Sequence, residues 1–568
     1  MINATENRAS TAKVMALGLL LAALMAASLL AAQPVNASTT FTVDSTGDYG
    51  DVTPGDGKCD IGTIMLIGER CTLRAAIQEA NATAGADTIN FAIPATQDPT
   101  ITPASELPKI TRTVTINGYS QPGAQPNSKT VGTDAVLKIV LSGAKIFGSG
   151  LRIEAANSTV KGLVINQWSG AGIWIDGSGA TGNKVTGNFI GTDASGAQDL
   201  GNSASGVSVD GANNTIGGAT AAERNVISGN DFLGVLFEDT GAGGNKVMGN
   251  YIGTDASGTQ DLGNASHGVS IDDVPNNIIG GTATGTRNVI SGNDGNGVSI
   301  LGNHGNKITG NYVGTDATGT KDLGNSYHGV YIDYGKDNTI GGTTAGERNV
   351  ISGNNGNGVL IEGAVATGNR VTGNYVGTDK NGAAPLGNSS NGVYISGPNN
   401  TVGGTTAGGR NAISANAGSG VSIYGATAAG NRALQNSIFA NGGLGIDLND
   451  DGPTANDPGD TDLGPNNLQN KPVISSAKTG ALKTTINARL NSTPTRTFTV
   501  QFFSNPAGGD EGKKFIGQKS VTTDGSGNAV FSFTPAQKVG VGRTVTATAT
   551  NPAGSTSEFS VPRTVASA

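Results

Sequence analysis

The chain copies itself. GNYIGTDASGTQDLGN, from Gly249 to Asn264, returns as GNYVGTDATGTKDLGN from Gly310 to Asn325, and looser copies begin at Gly187 and Gly373. The Asp of the GTD motif falls at 193, 255, 316 and 379, and the Arg of an Arg-Asn pair at 224, 287, 348 and 410. The unit is therefore 61–63 residues long. A fixed period of this length requires a solenoid or an array, because each unit buries its apolar face only against its neighbours. Inside the unit the period halves. A Gly-apolar-x-apolar strand begins at Gly150, Gly172, Gly206, Gly234, Gly268, Gly297, Gly329, Gly358, Gly392, Gly420 and Gly445. Each is followed by an Asn-flanked strand, either NKVTGN-like or NTIGG leading into RNVISGN.

Short strands alternating apolar and small polar residues, with Gly or Asn at each corner, exclude a helical repeat. Gly and Asn tolerate the left-handed backbone that tight corners demand. A propeller blade needs four alternating strands in ~40–50 residues, whereas one turn here takes about 30. The expected fold is all-β: a right-handed parallel β-helix of about ten coils. Coils stacked ~4.8 Å apart give a rod of about 50 Å. This geometry accounts for 90 Gly in 568 residues, against a usual ~7%. Asn rows at 183/188, 225/230, 245/250, 288/293, 306/311, 349/354, 369/374, 411/416 and 431/436 are expected to stack as structural ladders.

The flanks differ in texture. Residues 1–37 form an expected signal peptide: Arg8 and Lys13 precede an apolar run from Val14 to Ala32, and Val35-Asn36-Ala37 before Ser38 suits cleavage. A retained membrane anchor is the alternative, since the run is just long enough to span a bilayer. No second apolar span follows, so an exported protein, secreted or at the cell surface, is expected. In an oxidising compartment Cys59 and Cys71 are expected to form a disulfide, with two buried free thiols as the alternative. Residues 38–148 read as an N-terminal cap and first coils, with Thr72 to Ala84 as a helix that plugs the open core through Leu73, Ala76, Ile77 and Ala80. Residues 149–449 are the coils, 450–472 an Asp/Pro/Gly-rich linker, and 473–568 a small immunoglobulin-like β-sandwich.

Cys71-Thr72-Leu73-Arg74-Ala75-Ala76-Ile77, the NxxxGN and GTDxxGTxxLGN coil vocabulary, and the closing GIDLNDDGPTANDPGDTDLGPNNLQNKPVI together resemble secreted bacterial proteins of the CSLREA-domain, right-handed parallel β-helix group. The resemblance covers nearly the whole exported chain and implies the pectate-lyase-like fold. It implies no activity, because fold does not fix function. Ala75 stands where that family has Glu, which puts a salt bridge at the cap in doubt.

Net charge of −8, without cationic runs, argues against a nucleic-acid partner. Three His and two Cys argue against a His/Cys metal centre or a Cys nucleophile. Residues recurring in every unit are expected to be structural, and by this criterion the GTD Asp row and the Arg row belong to loops and stacking. On the Gly-V-x-I strands the third and fifth positions face outward. The fifth carries Glu154, Asp176, Asp210, Glu238, Asp272, Asp333 and Glu362; the third carries Arg152, Trp174, Tyr331 and Tyr394. Trp174, Tyr331, Tyr394, Asp176, Asp333 and Glu362 are the expected sugar-binding residues, rings stacking on pyranose faces.

Asp210, Glu238, Asp272 and Asp273 are weak catalytic candidates, because paired carboxyls at such spacings satisfy a glycoside hydrolase. A pectate-lyase-like mechanism would instead need Ca²⁺ and a cationic base, for which Arg152 and Lys336 are the only off-period cations near this face. His267 and His328, each preceding a strand Gly, read as surface residues. Asp447-x-Asn449-x-Asp451-Gly452 opens like a calcium loop, but Pro458 occupies the twelfth position, where Glu belongs. Asp457, Asp460 and Asp462 are expected to complete an irregular calcium site; no other cofactor is expected. The leading expectation is a non-catalytic carbohydrate-binding or adhesive module whose partner is an extracellular polysaccharide or cell-surface glycan. The rival is a polysaccharide lyase or hydrolase. The oligomeric state is left open.

Overall fold

The computed structural model describes residues 38–62, 70–144, 146–239, 241–302 and 304–568. The expected signal peptide lies outside the described residues. Among those described, no helix is long and apolar enough to cross a membrane.

Three long sheets of 13, 12 and 11 strands run through residues 40–448, and every pairing within them is parallel in the registers that define the coils. The first runs from Thr40–Val43 to Arg432–Leu434, the second from Thr100–Ile101 to Ser437–Phe439, and the third from Leu151–Ile153 to Ile446–Leu448. From Leu151 to Phe439 each coil gives one strand to each sheet, so the chain is a parallel β-helix. Thirteen strands at ~4.8 Å make a rod of about 58 Å.

Each coil has three strands, where the sequence pattern had shown two. The unseen one, such as Phe189–Ile190 or Val226–Ile227, is two residues long and too short to display an alternation. Inward-facing Val and Ile stack coil upon coil: Val207, Val235, Val269 and Val298 are all fully buried and consecutive in register.

The corners are tied by three asparagine ladders. In one, the Asn288 backbone N–H and side-chain amide donate to Asn311 Oδ1, and Asn311 repeats this onto Asn349. The sequence rows had missed Asn202, Asn214, Asn264 and Asn277, which fill the intervening coils. The glycines beside the ladders answer a separate demand. Gly217 has φ +86°, and a Cβ there would lie 1.9 Å from the Met248 carbonyl of the next coil.

The Arg row is structural too. Arg224, Arg287 and Arg348 stack over Tyr251, Tyr312 and Tyr375 at 4.3–4.5 Å, and Arg410 over Phe515 at 4.9 Å. The GTD aspartates hold their own loops; Asp193 accepts the Ala197 and Gln198 N–H groups.

Both ends are closed. The helix Leu73–Ala82 is capped by Thr72 and buries Leu73, Ala76, Ile77 and Ala80 on the first coils, as its pattern predicts. Ala75 is fully buried, so a Glu there would have no water to face. Arg74 instead pairs with Asp48 at 2.9 Å. Cys59 and Cys71 form a disulfide. At the far end two four-stranded sheets, built from residues 473–567, enclose a core around Phe498 and Phe502. This sandwich also finishes the rod. Glu511 takes the last donors of one ladder from Asn441, and Asn466 of the linker takes that of another from Asn431.

Candidate functional site on the outward face of the third sheet

Register fixes which side chains share this face. The third positions align Arg152, Trp174, Ser208, Leu236, Ser270, Ser299, Tyr331, Leu360, Tyr394, Ser422 and Asp447. The fifth positions align Asp272, Leu301, Asp333 and Glu362 directly. Asp176, Asp210 and Glu238 follow the paired residues Ile175, Val209 and Phe237 and continue that row.

Two zones result. Near the cap, Arg152 lies 4.2 Å over the Trp174 ring and donates to Asp176 Oδ2 at 2.6 Å. Trp174 Nε1 donates to Asp210 Oδ2 at 2.9 Å. Asp210 is only 9% exposed, and its Oδ1 has no hydrogen-bond partner. Burial, with repulsion from Asp176, holds its carboxyl above the usual range against the pull of the Trp174 bond. Glu238 is raised by burial and then by the charges of Asp210 and Asp272. Asp272 is raised by burial, offset by the Ser270 hydroxyl at 2.6 Å. Asp273 departs from the period for a local reason: it is an exposed turn residue at φ 54°. Lys336 sits in a turn, bridged to His304.

The second zone is a shallow hollow of about 500 Å³, lined by His267, Asn296, Tyr327, His328, Tyr331 and Glu362 among others. The histidines lie at the surface as expected but half-buried, in the wall of this hollow. His267 Nδ1 accepts the Asn296 N–H, and His328 Nδ1 accepts the Asn357 N–H, each at 2.9 Å. A ring nitrogen that accepts carries no proton, so both rings keep theirs on Nε2. Burial lowers both pKa values and keeps the rings neutral. Tyr331 donates to Glu362 Oε2 at 3.3 Å and lies 5.9 Å from the His328 ring. Burial, and then the charges of Asp333 and Glu362, push the Tyr331 hydroxyl up. Tyr394 and Tyr424 lie 6.1 Å apart further along the face. Tyr327, Tyr334 and Tyr424 are 60%, 55% and 47% exposed.

The structure thus brings Tyr331 and Glu362 together at the hollow, with Asp333 beside them in register, and Trp174, Asp176 and Asp210 together near the cap. Tyr394 stands two strands beyond Tyr331. Sequence reasoning missed His267 and His328 as part of the site, and Tyr327 and Asn296 altogether. A signal existed: the position before the strand Gly carries histidine at two coils only, His267 and His328, where the other coils have Ala, Ser, Leu or Asn.

The six linker residues expected to share a calcium ion do not form one group. Asp447 belongs to the last coil strand, beside Ser422 in register, and is buried. Asn449 Nδ2 donates to Asp451. Only Asp457, Asp460 and Asp462 converge, with ligand atoms within 4.8 Å of one another. Asp457 accepts from the Thr461 N–H and hydroxyl, and Asp460 from Ser492, Gln469 and the Asn470 N–H.

The fold and face define a capped parallel β-helix whose one long sheet carries rings and carboxyls outward. No family model and no curated protein matches the chain. Among solved structures it is similar to the mannuronan C-5 epimerase A-module of Azotobacter vinelandii, at TM-score 0.32 and 14% identity over 72% of this chain and 94% of that one. It is also similar to a tailspike of the Acinetobacter baumannii bacteriophage Fri1, described as a capsular polysaccharide depolymerase, at TM-score 0.19 and 10% identity over 74% and 76%. At these scores neither likeness assigns an activity.

Proposed function

We propose that this chain is an exported β-helix rod that binds a carbohydrate chain along the outward face of its third sheet without cleaving it. The observation that carries the reading is the hollow with its surrounding tyrosines. Tyr327, Tyr331 and Tyr334 stand at one level of the rod, and Tyr394 and Tyr424 continue the line toward the sandwich. Amphipathic rings with one wet edge suit pyranose faces, and neutral His Nε2–H groups and Asn amides supply hydrogen bonds to hydroxyls.

The regularity of the acid row supports binding over hydrolysis: Asp210, Glu238 and Asp272 stand side by side in register, and no one pair is set apart from its neighbours as a catalytic pair would be. Titrating the protein with a panel of neutral, acidic and amino glycans tests the reading. Tyr331→Ala and Tyr394→Ala should each weaken binding about tenfold, the loss of ~1.4 kcal/mol expected for a stacked ring. Absence of binding to every glycan overturns it.

A second reading, a polysaccharide hydrolase or lyase, is favoured by the raised carboxyls of Asp210, Glu238 and Asp272, since a general acid must hold its proton near neutrality. New reducing ends, or the ultraviolet absorbance of an unsaturated product, would establish it in place of the first.

A further inference from the structure

The fifth-position row begins at Glu154, which pairs with Lys109 and Arg152, and continues with Asp176, Asp210, Glu238, Asp272, Asp333 and Glu362 on one face, interrupted by Leu301. Successive coils space these carboxyls about 4.8 Å apart. In the two outward rows Arg152 is the one cation among the described residues, and it is already engaged by Asp176 and the Trp174 ring. No Lys or Arg lines the hollow among the described residues. The row therefore holds more negative charge than its own surroundings neutralise.

Asp210 shows this most sharply. It is nine-tenths buried, one oxygen receives the Trp174 N–H, and the other has no partner. A buried carboxylate oxygen without a donor costs free energy that an incoming donor returns. We infer that the glycan taken up by this face is cationic, a polymer of amino sugars bearing free ammonium groups. The inference rests on the glycan-binding reading above.

The chemistry discriminates between glycan classes. A polyuronate would bring carboxylates against carboxylates, and a neutral sugar would leave the mutual repulsion in place. An N-acetylated amino sugar offers one amide N–H and no charge. An ammonium offers three donors and a positive charge, enough to lie between two neighbouring acids of the row. Trp174 and Tyr331 also accept a cation over their faces. Burial of Asp210 and Glu238 amplifies the preference, because their carboxylate forms gain most from a countercharge.

The test is calorimetric titration of the protein with chitosan oligosaccharides, their fully N-acetylated counterparts and oligogalacturonate, in EDTA, at a pH where the amines are charged. The de-N-acetylated series is expected to bind at least tenfold tighter than the N-acetylated one. The advantage should collapse near 1 M salt, where the screening length is about 3 Å. Asp210→Asn and, at the exposed end of the row, Glu362→Gln should each cut the ammonium advantage severalfold and spare the N-acetylated affinity. Tyr331→Ala should weaken both series. Equal or tighter binding of the N-acetylated or uronate series, or unchanged selectivity in both acid variants, overturns the inference and leaves the glycan-binding reading standing. Binding to none of the three, nor to any glycan of the wider panel, removes that reading and the inference with it.

Discussion

Replacing Asn311 measures what a ladder rung is worth. Its side chain accepts the Asn288 N–H and amide at 3.3 and 2.9 Å and donates to the Ile279 carbonyl at 2.8 Å and to Asn349 Oδ1 at 3.2 Å. The residue is fully buried, so water cannot replace what is removed. Asn311→Ala leaves the Asn288 N–H without its acceptor and the Ile279 carbonyl without this donor. At about 1–3 kcal/mol per orphaned buried group, the cost is about 2–6 kcal/mol. Asn355→Ala, at an exposed asparagine of a neighbouring coil, should stay within about 0.5 kcal/mol.

A long solenoid need not unfold in two states, so the local readout is amide exchange at Asn288. Even 2 kcal/mol corresponds to about thirtyfold faster exchange through local opening. Asn311→Asp sharpens the test. One carboxylate oxygen can still accept from Asn288, but the other meets the Ile279 carbonyl and Asn349 Oδ1, acceptor against acceptor. The Asp variant should therefore be worse than Ala at neutral pH and recover in acid, where the protonated carboxyl can donate. An Ala variant costing under 1 kcal/mol, or an Asp variant tolerated at neutral pH, would show that the ladders fill corners without holding the coils together.

Asp51, beside the cap helix, is raised from 3.8 to about 6 by burial and by its neighbour Glu79. The folded cap thus binds this proton more tightly than the unfolded chain does. Its stabilising contribution is complete below pH 3.8 and is lost as the pH rises through about 6. Exchange of the cap amides across that range should show this loss, and Asp51→Asn should flatten it; an unchanged slope would refute the assignment. Arg410 joins the last full unit to the sandwich through Phe515, held in place by Gln435 of the last coil at 2.9 Å, so Arg410→Ala should loosen the joint by about 1 kcal/mol. Faster proteolysis within residues 450–472 checks it, with Arg287→Ala as the mid-rod control. Calcium is expected to act through Asp457, Asp460 and Asp462 and to raise the unfolding temperature. Asp462→Asn should abolish the gain while Asp451→Asn keeps it; no gain in the parent protein refutes the assignment.

The solenoid was legible because every coil must close in the same way. Closure needs an inward apolar pair, a left-handed or crowded corner and an amide that reaches the next coil. Val207, Gly217 and Asn225 therefore recur as types at the spacing of the unit. Two features escaped that logic. Most of the second sheet's strands within the repeats are two residues long, so alternation never showed. The ends of the ladders were hidden because the group that completes the Asn441 ladder, Glu511, lies 70 residues away in another fold. Asp447 misled in the opposite way. Read in sequence it opens a D-x-N-x-D-G loop, yet register claims it for the last strand, and hydrogen bonding along the sheet outweighs what the local motif suggests.

The same closure rule explains why the candidate site could be located by its irregularity. Third and fifth positions, and the residue before each strand Gly, lie outside the inward apolar stack, even where neighbours cover them, as at Ser299 and Asn296. They are the positions where one coil can differ from the next without breaking the rod. His267 and His328 stand one unit apart, while the equivalent residues a unit earlier and later are Ser205 and Asn391. Tyr331 is matched by Ser270 one unit earlier and Tyr394 one unit later. Replacing the tyrosine would disturb no ladder or inward stack, whereas the histidines are rungs of a row that runs from His267 through Asn296, His328 and Asn357 to Asn391. Histidine at two rungs of this row, two coils apart and the second on the coil where Tyr327 and Tyr331 emerge, is therefore not required by the solenoid, since Asn391 fills the equivalent place. The acid row has a related character, since closure demands no charge at the fifth position: Leu301 and Ser396 serve there equally well. Six carboxyls in positions that tolerate Leu or Ser, one of them buried with an oxygen unpartnered, raise the energy of the unliganded face. That cost is offset when a ligand supplies positive charge, which is why the selectivity of this face between ammonium-bearing and N-acetylated chains, rather than its affinity for either, is the informative measurement.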